Sequence, residues 1–118
     1  MNGSYLRNRS NLSPEVMAQV LRGLAQMTKW FNDKNEPPQA ALEKIVGFFH
    51  RVDRPVYLGV IALEIRYSLD QTLSMFEALH EAGVIRPLTD DEKRKFQIDV
   101  RGNVWTLVEK AHPSKANW

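Results

Sequence analysis

The 118-residue sequence predicts a mainly α-helical domain with a small antiparallel β-hairpin, an α+β fold. Three observations carry this prediction. Apolar residues recur at helical spacing in four segments of the first 83 residues. At the start of the fourth segment, Ser68 and Gln71 have the three-residue spacing of a capping box. Alternating apolar and polar residues on both sides of Gly102-Asn103 predict two strands joined by a tight turn.

The composition excludes several classes of protein. The chain has no cysteine, which excludes disulfides, thiolate metal sites and a cysteine nucleophile. No apolar run approaches the ~20 residues that a transmembrane helix needs, and the polar N-terminus lacks the apolar middle of a secretory signal. We therefore expect a cytoplasmic protein without a membrane partner. The formal net charge of +2 permits nucleic-acid binding but does not argue for it.

The N-terminal third predicts an arm followed by one long helix. Residues 1–13 are polar, with Arg7 and Arg9, and predict a flexible arm that is either solvated or in contact with phosphates. Ser13 and Pro14 are a cap and a first helical residue. Helical spacing of apolar residues then predicts a helix to about Phe31 within an N-terminal segment of residues 14–35, and residues 32–38 predict a linker with two prolines.

Two further helices precede the capping box. Helical spacing predicts a second helix from Gln39 to Val52, and Pro55 closes it. Val56-Tyr57 predicts a very short strand. The third helix is predicted from Leu58 to Arg66, and its apolar stripe contains Leu58, Ile61, Ala62 and Ile65.

Ser68 caps the fourth helix, which Gly83 ends because glycine readily adopts the left-handed conformation. The periodicity predicts that one side of this helix is buried, and Val84-Ile85 leaves it as a strand. The residues predicted to form the buried side are Leu69, Leu73, Phe76 and Leu79.

The predicted hairpin occupies the last part of the fold. Residues 89–95 are highly charged and predict a loop or a single turn. With Gly102-Asn103 as a two-residue loop, Val100 would face Trp105 and Ile98 would face Leu107 on one apolar face. This register places Trp105 in the core. Residues 111–118 are a polar tail.

The order of helix, turn, helix and hairpin resembles the winged helix-turn-helix superfamily. The most specific part is Ser68-x-x-x-Thr72-Leu73, followed by Ala78-Leu79-x-x-x-Gly83-Val84-Ile85. It is similar to the recognition helix and strand of MarR-like and related small bacterial regulators. The resemblance covers residues 39–108 within a predicted domain of residues 36–110. It implies a winged helix-turn-helix with an extra N-terminal helix that binds double-stranded DNA, as a transcriptional regulator or a plasmid or phage accessory factor.

The resemblance also implies which residues would contact DNA. Early residues of the fourth helix would enter the major groove, the hairpin tip would contact the backbone or minor groove, and nearby cations would contact phosphates. At the helix these residues are Ser68, Asp70, Gln71 and Ser74. At the tip they are Arg101 and Asn103, and the nearby cations are Arg54, Arg66, Lys93, Arg94 and Lys95.

The fourth helix departs from the pattern of a DNA-binding helix. Residues 69–82 contain no lysine or arginine, and Asp70, Glu77 and Glu81 are acidic. DNA-binding helices use arginine or lysine for phosphate and guanine contacts. An alternative is therefore a winged helix used as a protein–protein interaction module, or as a subunit of a larger assembly. Arg101 is open to a solvated interpretation, and the Lys93–Lys95 cations are offset by the preceding acids.

The first helix has a broad apolar stripe with three interpretations: core, a homodimer contact or a surface for another protein. A homodimer contact between equivalent helices is the interaction that we expect beyond its own domain. The residues of this predicted contact are Val16, Met17, Val20, Leu24, Met27, Trp30 and Phe31.

Nothing in the sequence predicts an enzyme. There is no nucleophile elbow, phosphate-binding loop or dinucleotide loop. His50, His80 and His112 are far apart and form none of the short spacings of a metal site. We therefore expect neither a metal nor another cofactor.

Overall fold

A computed structural model of the chain describes residues 12–108, which form six α-helices, a 3-10 turn and three strands. The predicted arm, apart from its last two residues, and the predicted tail lie outside the described residues. Among residues 12–108, no helix is long and apolar enough to cross a membrane. The elements are α1 (Pro14–Gly23), the 3-10 turn (Ala25–Met27), α2 (Thr28–Asp33), α3 (Pro38–Val52), β1 (Val56–Tyr57), α4 (Leu58–Ile65), α5 (Leu69–Glu81), β2 (Ile85–Pro87), α6 (Asp90–Lys95) and β3 (Val104–Leu107).

The N-terminal segment begins as predicted but is not one helix. Ser13 caps α1, and its Oγ accepts a hydrogen bond from the Val16 amide at 3.2 Å. The predicted continuation to Phe31 is wrong, because α1 ends at Gly23 and Leu24 leaves the helical conformation at φ −108° and ψ 9°. A straight helix over residues 14–33 would be about 30 Å long, longer than the 13-residue α5 against which α1 packs. The break keeps the second half of the segment against the domain. It occurs at Gly23, which has the lowest helix propensity of the residues after the first position of the segment.

The three predicted helices that follow are confirmed. α3 ends at Asp53, which adopts a left-handed conformation with φ 53°. All four residues of the predicted α4 stripe are buried. The Ser68–Gln71 capping box of α5 is complete, with both hydrogen bonds at 3.0 Å. After α5, Gly83 has φ 79°, as its predicted role in ending the helix requires.

The sheet is antiparallel, with β3 in the centre of the order β1-β3-β2. The predicted short strand at Val56-Tyr57 is confirmed, and a strand follows Gly83, shifted slightly to Ile85–Pro87. The predicted hairpin partner of β3 is wrong. Trp105 is paired with Val56 and Pro87, so neither Val100 nor any other residue of the 96–100 segment is its neighbour in the sheet.

The chain between β2 and β3 takes a longer path than the predicted hairpin. Thr89 and Glu92 form a second complete capping box, which starts α6 where we expected a loop or a single turn. Gln97 then adopts a left-handed conformation with φ 60°, and Lys93 Nζ donates a hydrogen bond to the Val100 carbonyl at 2.8 Å. Residues 96–103 are therefore a loop folded against α6, and their alternation of apolar and polar residues is not that of a strand.

The core lies where α3, α4 and α5 meet the sheet and the N-terminal segment. Phe76 is central to it: its ring lies 5.8 Å from that of Phe49 and 5.2 Å, edge-on, from that of Trp105. The predicted core position of Trp105 is confirmed. Its indole N–H donates to Asn103 Oδ1 at 2.6 Å, which satisfies the one polar atom of the side chain.

An ion pair between Arg86 of β2 and Glu92 of α6 connects α6 to the sheet. The Arg86 guanidinium donates to both carboxylate oxygens of Glu92, at 2.8 and 2.6 Å, and the two side chains are mostly buried. Glu92 also accepts from the Thr89 amide. The hydrogen bonds from Arg86 lower the pKa of Glu92 from 4.5 to about 2, because their effect exceeds that of burial, which acts in the opposite direction.

Because the folded-state pKa of Glu92 lies below the unfolded-state value, its stabilisation is present above about pH 4.5 and is lost as the pH falls toward 2. Glu92→Gln keeps the capping box but removes the charge. We expect it to lower the free energy of unfolding by about 1–2 kcal/mol at pH 7, with a difference from wild type that narrows below pH 4.5. Urea unfolding across this pH range measures both values.

Asp91→Asn, at an exposed carboxylate paired with Arg94, should change stability by less than about 0.5 kcal/mol. A constant Glu92→Gln deficit from pH 7 to pH 2 would contradict the linkage.

Candidate functional site

The α4–turn–α5 unit is built by local hydrogen bonds that bring the two helices together through a short turn. α4 ends at Arg66, which adopts a left-handed conformation with φ 65°. The amides of Arg66 and Tyr67 both donate to the Ala62 carbonyl, at 2.8 and 3.2 Å. Ser68 then begins α5 through its capping box. The exposed surface of this unit is therefore held on a rigid frame.

A polar cluster joins this turn to the linker before α3. The Tyr67 hydroxyl donates to Glu36 Oε1 at 2.7 Å, and Lys44 Nζ lies 2.6 Å from Glu36 Oε2. Lys34 lies over the Tyr67 ring and donates to the Arg66 carbonyl. Burial opposes ionisation of Glu36, but the hydrogen bonds from Lys44 and Tyr67 hold its pKa below the ordinary value. Burial and the same carboxylate raise the pKa of Tyr67. The cluster therefore connects the turn before α5 to the linker and to α3.

The outer face of α5 is acidic. Asp70, Glu77 and Glu81 are all exposed, and their spacing of seven and four residues places them along one stripe of the helix. Within the described part of the chain, no lysine or arginine forms an ion pair with any of the three. Ser74 is partly exposed between them. Ser68 and Gln71, predicted to contact DNA, bond each other in the cap, so Gln71 Oε1 is already engaged.

Three of the cations predicted at the hairpin tip and in α6 are engaged within the chain: Arg101, Arg94 and Lys93. The Arg101 guanidinium contacts both carboxylate oxygens of Asp99, at 3.1 and 2.9 Å, and these hydrogen bonds lower the pKa of Asp99. Arg94 pairs with Asp91 at 2.9 Å, and Lys93 donates to a backbone carbonyl. An external phosphate would have to compete with these carboxylates for both arginines.

The remaining predicted DNA contacts are divided between exposed and engaged positions. Arg54, Arg66 and Lys95 are exposed, and none forms an ion pair with the described residues. Asn103 is exposed at the residue level but uses Oδ1 to accept from the Trp105 indole and its carbonyl to accept from the Leu58 amide at 2.9 Å. Asn103 thus connects the loop to the sheet and to α4.

The α4–turn–α5 unit also exposes a group of large apolar side chains that we call the α4–α5 patch. Leu63 is 82% exposed and Leu69 is 58% exposed, and Tyr57 and Val60 are each 45% exposed. Val60 and Leu63 lie three residues apart on the exposed side of α4, and Tyr57 directly precedes the helix. An added Cβ at Gly59 would lie 4.0 Å from the Leu69 side chain, so Leu69 borders the same side of α4.

The sequence contains a signal for this patch, namely the apolar residues of α4 that lie outside its buried stripe. Val60 and Leu63 lie opposite the buried stripe of α4, and Glu64 is the one charged residue of this helix. Apolar residues therefore occupy much of its exposed side as well as its buried side. The prediction that Leu69 buries one side of α5 is wrong, because as the first residue of the helix it points past the core edge toward Gly59.

Charges of both signs border the patch. Glu64 follows Leu63 on α4 and lies 3.8 Å from Arg51. Arg66 and Asp70 flank Leu69 in the turn and the first turn of α5, and both are exposed. An apolar centre within a polar rim is the arrangement found in protein–protein interfaces.

The first-helix residues that we predicted as a dimer contact are divided between core and surface. Four of them are buried in the chain's own core: Met17, Val20, Leu24 and Phe31. Val16, Met27 and Trp30 are partly buried against the same core. Most of the apolar stripe is thus already used within the chain.

A cavity lies between α1, α3 and the sheet, with a volume of about 220 Å³. It is lined mainly by aliphatic side chains and by His50, whose Nε2 is buried and has no hydrogen-bond partner. His80 instead contacts the Trp105 ring edge-on at 5.8 Å. Within residues 12–108, no three histidine or acidic side chains lie close enough together to hold a metal ion.

Comparisons with protein-family models, with curated proteins and with solved structures found no match to this chain.

Proposed function

We propose that the chain is a winged helix-turn-helix protein used as a protein–protein interaction module, and that the α4–α5 patch is its docking surface. The carrying observation is the exposure of Leu63, Leu69, Val60 and Tyr57 together on one rigid unit. Soluble monomers rarely leave large apolar side chains contiguous, and such patches mark interaction sites.

The order of the elements supports the winged helix assignment. α3, β1, α4, α5, β2 and β3 follow one another along the chain, and β3 lies between the other two strands. This is the helix, strand, helix, helix and hairpin order that the resemblance implies. The connection between β2 and β3, with α6 and the loop over residues 96–103, then corresponds to an enlarged wing.

Electrostatics support a protein partner over DNA for this face. A helix entering the major groove approaches phosphates on both sides, and bound proteins neutralise them with lysine and arginine. α5 instead presents Asp70, Glu77 and Glu81, and the side of α4 next to it presents Leu63 and Val60. Acidic and apolar groups both disfavour a polyanion, whereas a protein surface can desolvate the apolar side chains.

Site-specific photo-crosslinking in the native cells tests the proposal. A photoreactive benzoyl-phenylalanine in place of Leu63 should give a discrete protein adduct on irradiation. The matched control is the same substitution at Phe96, which is 46% exposed but lies on the C-terminal end of α6 rather than in the patch. If position 63 gives no adduct beyond those of position 96, the patch is not a docking surface and the proposal fails.

Binding to duplex DNA is the second candidate, as a transcriptional regulator or a plasmid or phage accessory factor. The exposed Arg54, Arg66 and Lys95 favour it, because none is engaged by a carboxylate within the described residues. Binding to mixed genomic duplexes should then weaken steeply with salt, with a log–log slope near −0.9 per neutralised phosphate. The triple variant Arg54→Ala/Arg66→Ala/Lys95→Ala should flatten that slope. Absence of binding at ~50 mM salt would exclude this function.

A further inference from the structure

We infer that the partner docked on the α4–α5 patch is a second copy of this chain, related by a two-fold axis. This inference rests on the proposed function, because it names the occupant of the same surface. An interface between identical copies requires a surface that is complementary to itself in both charge and shape. The patch meets both requirements.

The charges at the rim of the patch balance. Arg51 and Arg66 are positive, and Glu64 and Asp70 are negative. A rim of a single sign would repel its own copy, since like charges brought together at an interface are unfavourable. Arg51 and Glu64 lie 3.8 Å apart within the chain, whereas Arg66 and Asp70 form no ion pair with the described residues, so each copy can offer Arg66 to Asp70 of the other. By contrast, the acidic stripe of α5 alone would favour a basic partner.

The shape of the patch also combines a projection and a recess. Leu63 is 82% exposed and forms the projection. Gly59, one helical turn before it, forms the recess, because the only neighbour within 4 Å of an added Cβ is Leu69. A glycine on a helix face permits close approach of another element. In a two-fold contact, Leu63 of each copy can occupy the space over Gly59 of the other.

The size of the patch sets the expected affinity. Four apolar side chains form a small centre, and small interfaces of this kind belong to weak and transient complexes. We therefore expect dissociation constants of about 1–100 µM, which correspond to binding free energies near −8 to −5.5 kcal/mol. Burial of Met17, Val20, Leu24 and Phe31 within one chain makes the first helix a poorer site for the same contact.

Analytical ultracentrifugation of the full chain from about 1 to 300 µM tests the inference. Wild-type protein should show a monomer–dimer equilibrium. Leu63→Asp should weaken dimerisation at least tenfold, since it places a charge at the centre of the contact. Gly59→Leu should weaken it similarly by filling the recess. Phe96→Asp should leave it unchanged. Far-UV circular dichroism melts check folding, and Leu63→Asp should be wild-type-like there because the side chain is already in solvent.

Two results would overturn the inference. A wild-type chain that remains monomeric at 300 µM excludes a self-contact of the expected strength. A dimer that withstands Leu63→Asp but is lost in Trp30→Asp places the interface on the first helix instead. In either case, the adduct formed from position 63 in cells separates this failure from failure of the proposed function. An adduct with a different protein supports the docking surface and contradicts the self-contact. The absence of any adduct contradicts both the docking surface and the self-contact.

Discussion

Replacement of Phe31 by alanine is expected to lower the free energy of unfolding by about 3–5 kcal/mol, the usual cost of removing a fully buried aromatic ring. Phe31 is 1% exposed, and its ring lies 5.8 Å from that of Tyr67 and 6.2 Å from that of Trp30. The substitution therefore leaves a cavity between α2 and the turn before α5. Chemical denaturation followed by far-UV circular dichroism measures the loss.

The same experiment separates the three interpretations of the N-terminal apolar stripe. As core, Phe31 stabilises a single chain, and the loss should be independent of protein concentration. Lys29→Ala, at an exposed position of the same segment, should cost less than about 0.5 kcal/mol. A deficit below about 1 kcal/mol, or one that grows with protein concentration, would instead assign Phe31 to an intermolecular contact.

Phe76→Ala should be comparably severe, with a loss of about 3–5 kcal/mol. The ring is fully buried between Phe49 of α3 and Trp105 of β3, so it joins α5 to both the helical layer and the sheet. Its removal should also broaden the unfolding transition, since the contacts between α5 and the sheet are weakened together. Urea titration gives both the midpoint and the slope.

Two comparison variants sharpen the second prediction. Phe76→Leu retains most of the apolar volume and should recover at least half of the lost stability. Glu77→Ala changes the exposed neighbour of Phe76 and should be close to neutral. If Phe76→Ala unfolds within about 1 kcal/mol of wild type, α5 is not anchored as described, and the rigidity assumed for the α4–α5 patch would have to be abandoned.

The parts of the fold that could be predicted from the sequence are those determined by neighbouring residues. The capping box of Ser68 and Gln71 requires only three-residue spacing, and the role of Gly83 requires only a residue tolerant of positive φ. The buried stripe of α4 follows from helical periodicity. In each case the deciding interactions lie within one helical turn, so local sequence is sufficient.

The pairing of β3 could not be predicted in the same way, because its partners are distant in sequence. Val56 pairs with Trp105 and Ile85 with Leu107, and no local pattern distinguishes these partners from the alternating residues 96–100. The capping box of Thr89 and Glu92 is present in the sequence, but the acidic and basic run around it predicts a loop or a single turn. After the helix, Gln97 adopts a left-handed conformation, which takes the chain off the extended path of a hairpin strand.

The candidate site was predictable only in part. The physical reason for its apolar residues is not the same as the reason for Arg101. Periodicity separates buried from exposed positions for polar residues, but it assigns an apolar residue such as Leu69 to the core by default. The exposure of Leu63 depends on the packing of α4, because the opposite side of the helix supplies its buried residues. Pairing of Arg101 with Asp99 depends on the loop conformation, in which the Arg101 amide and guanidinium both donate to the same carboxylate.

The central position of β3 has a consequence for synthesis of the protein. β1 and β2 touch each other only through β3, which is the last of the described elements. While the nascent chain is still on the ribosome, both strands therefore have unpaired edges, although the helices can already assemble. Unpaired strand edges favour association with other chains. Closure of the sheet must therefore wait until residues 104–107 have left the exit tunnel.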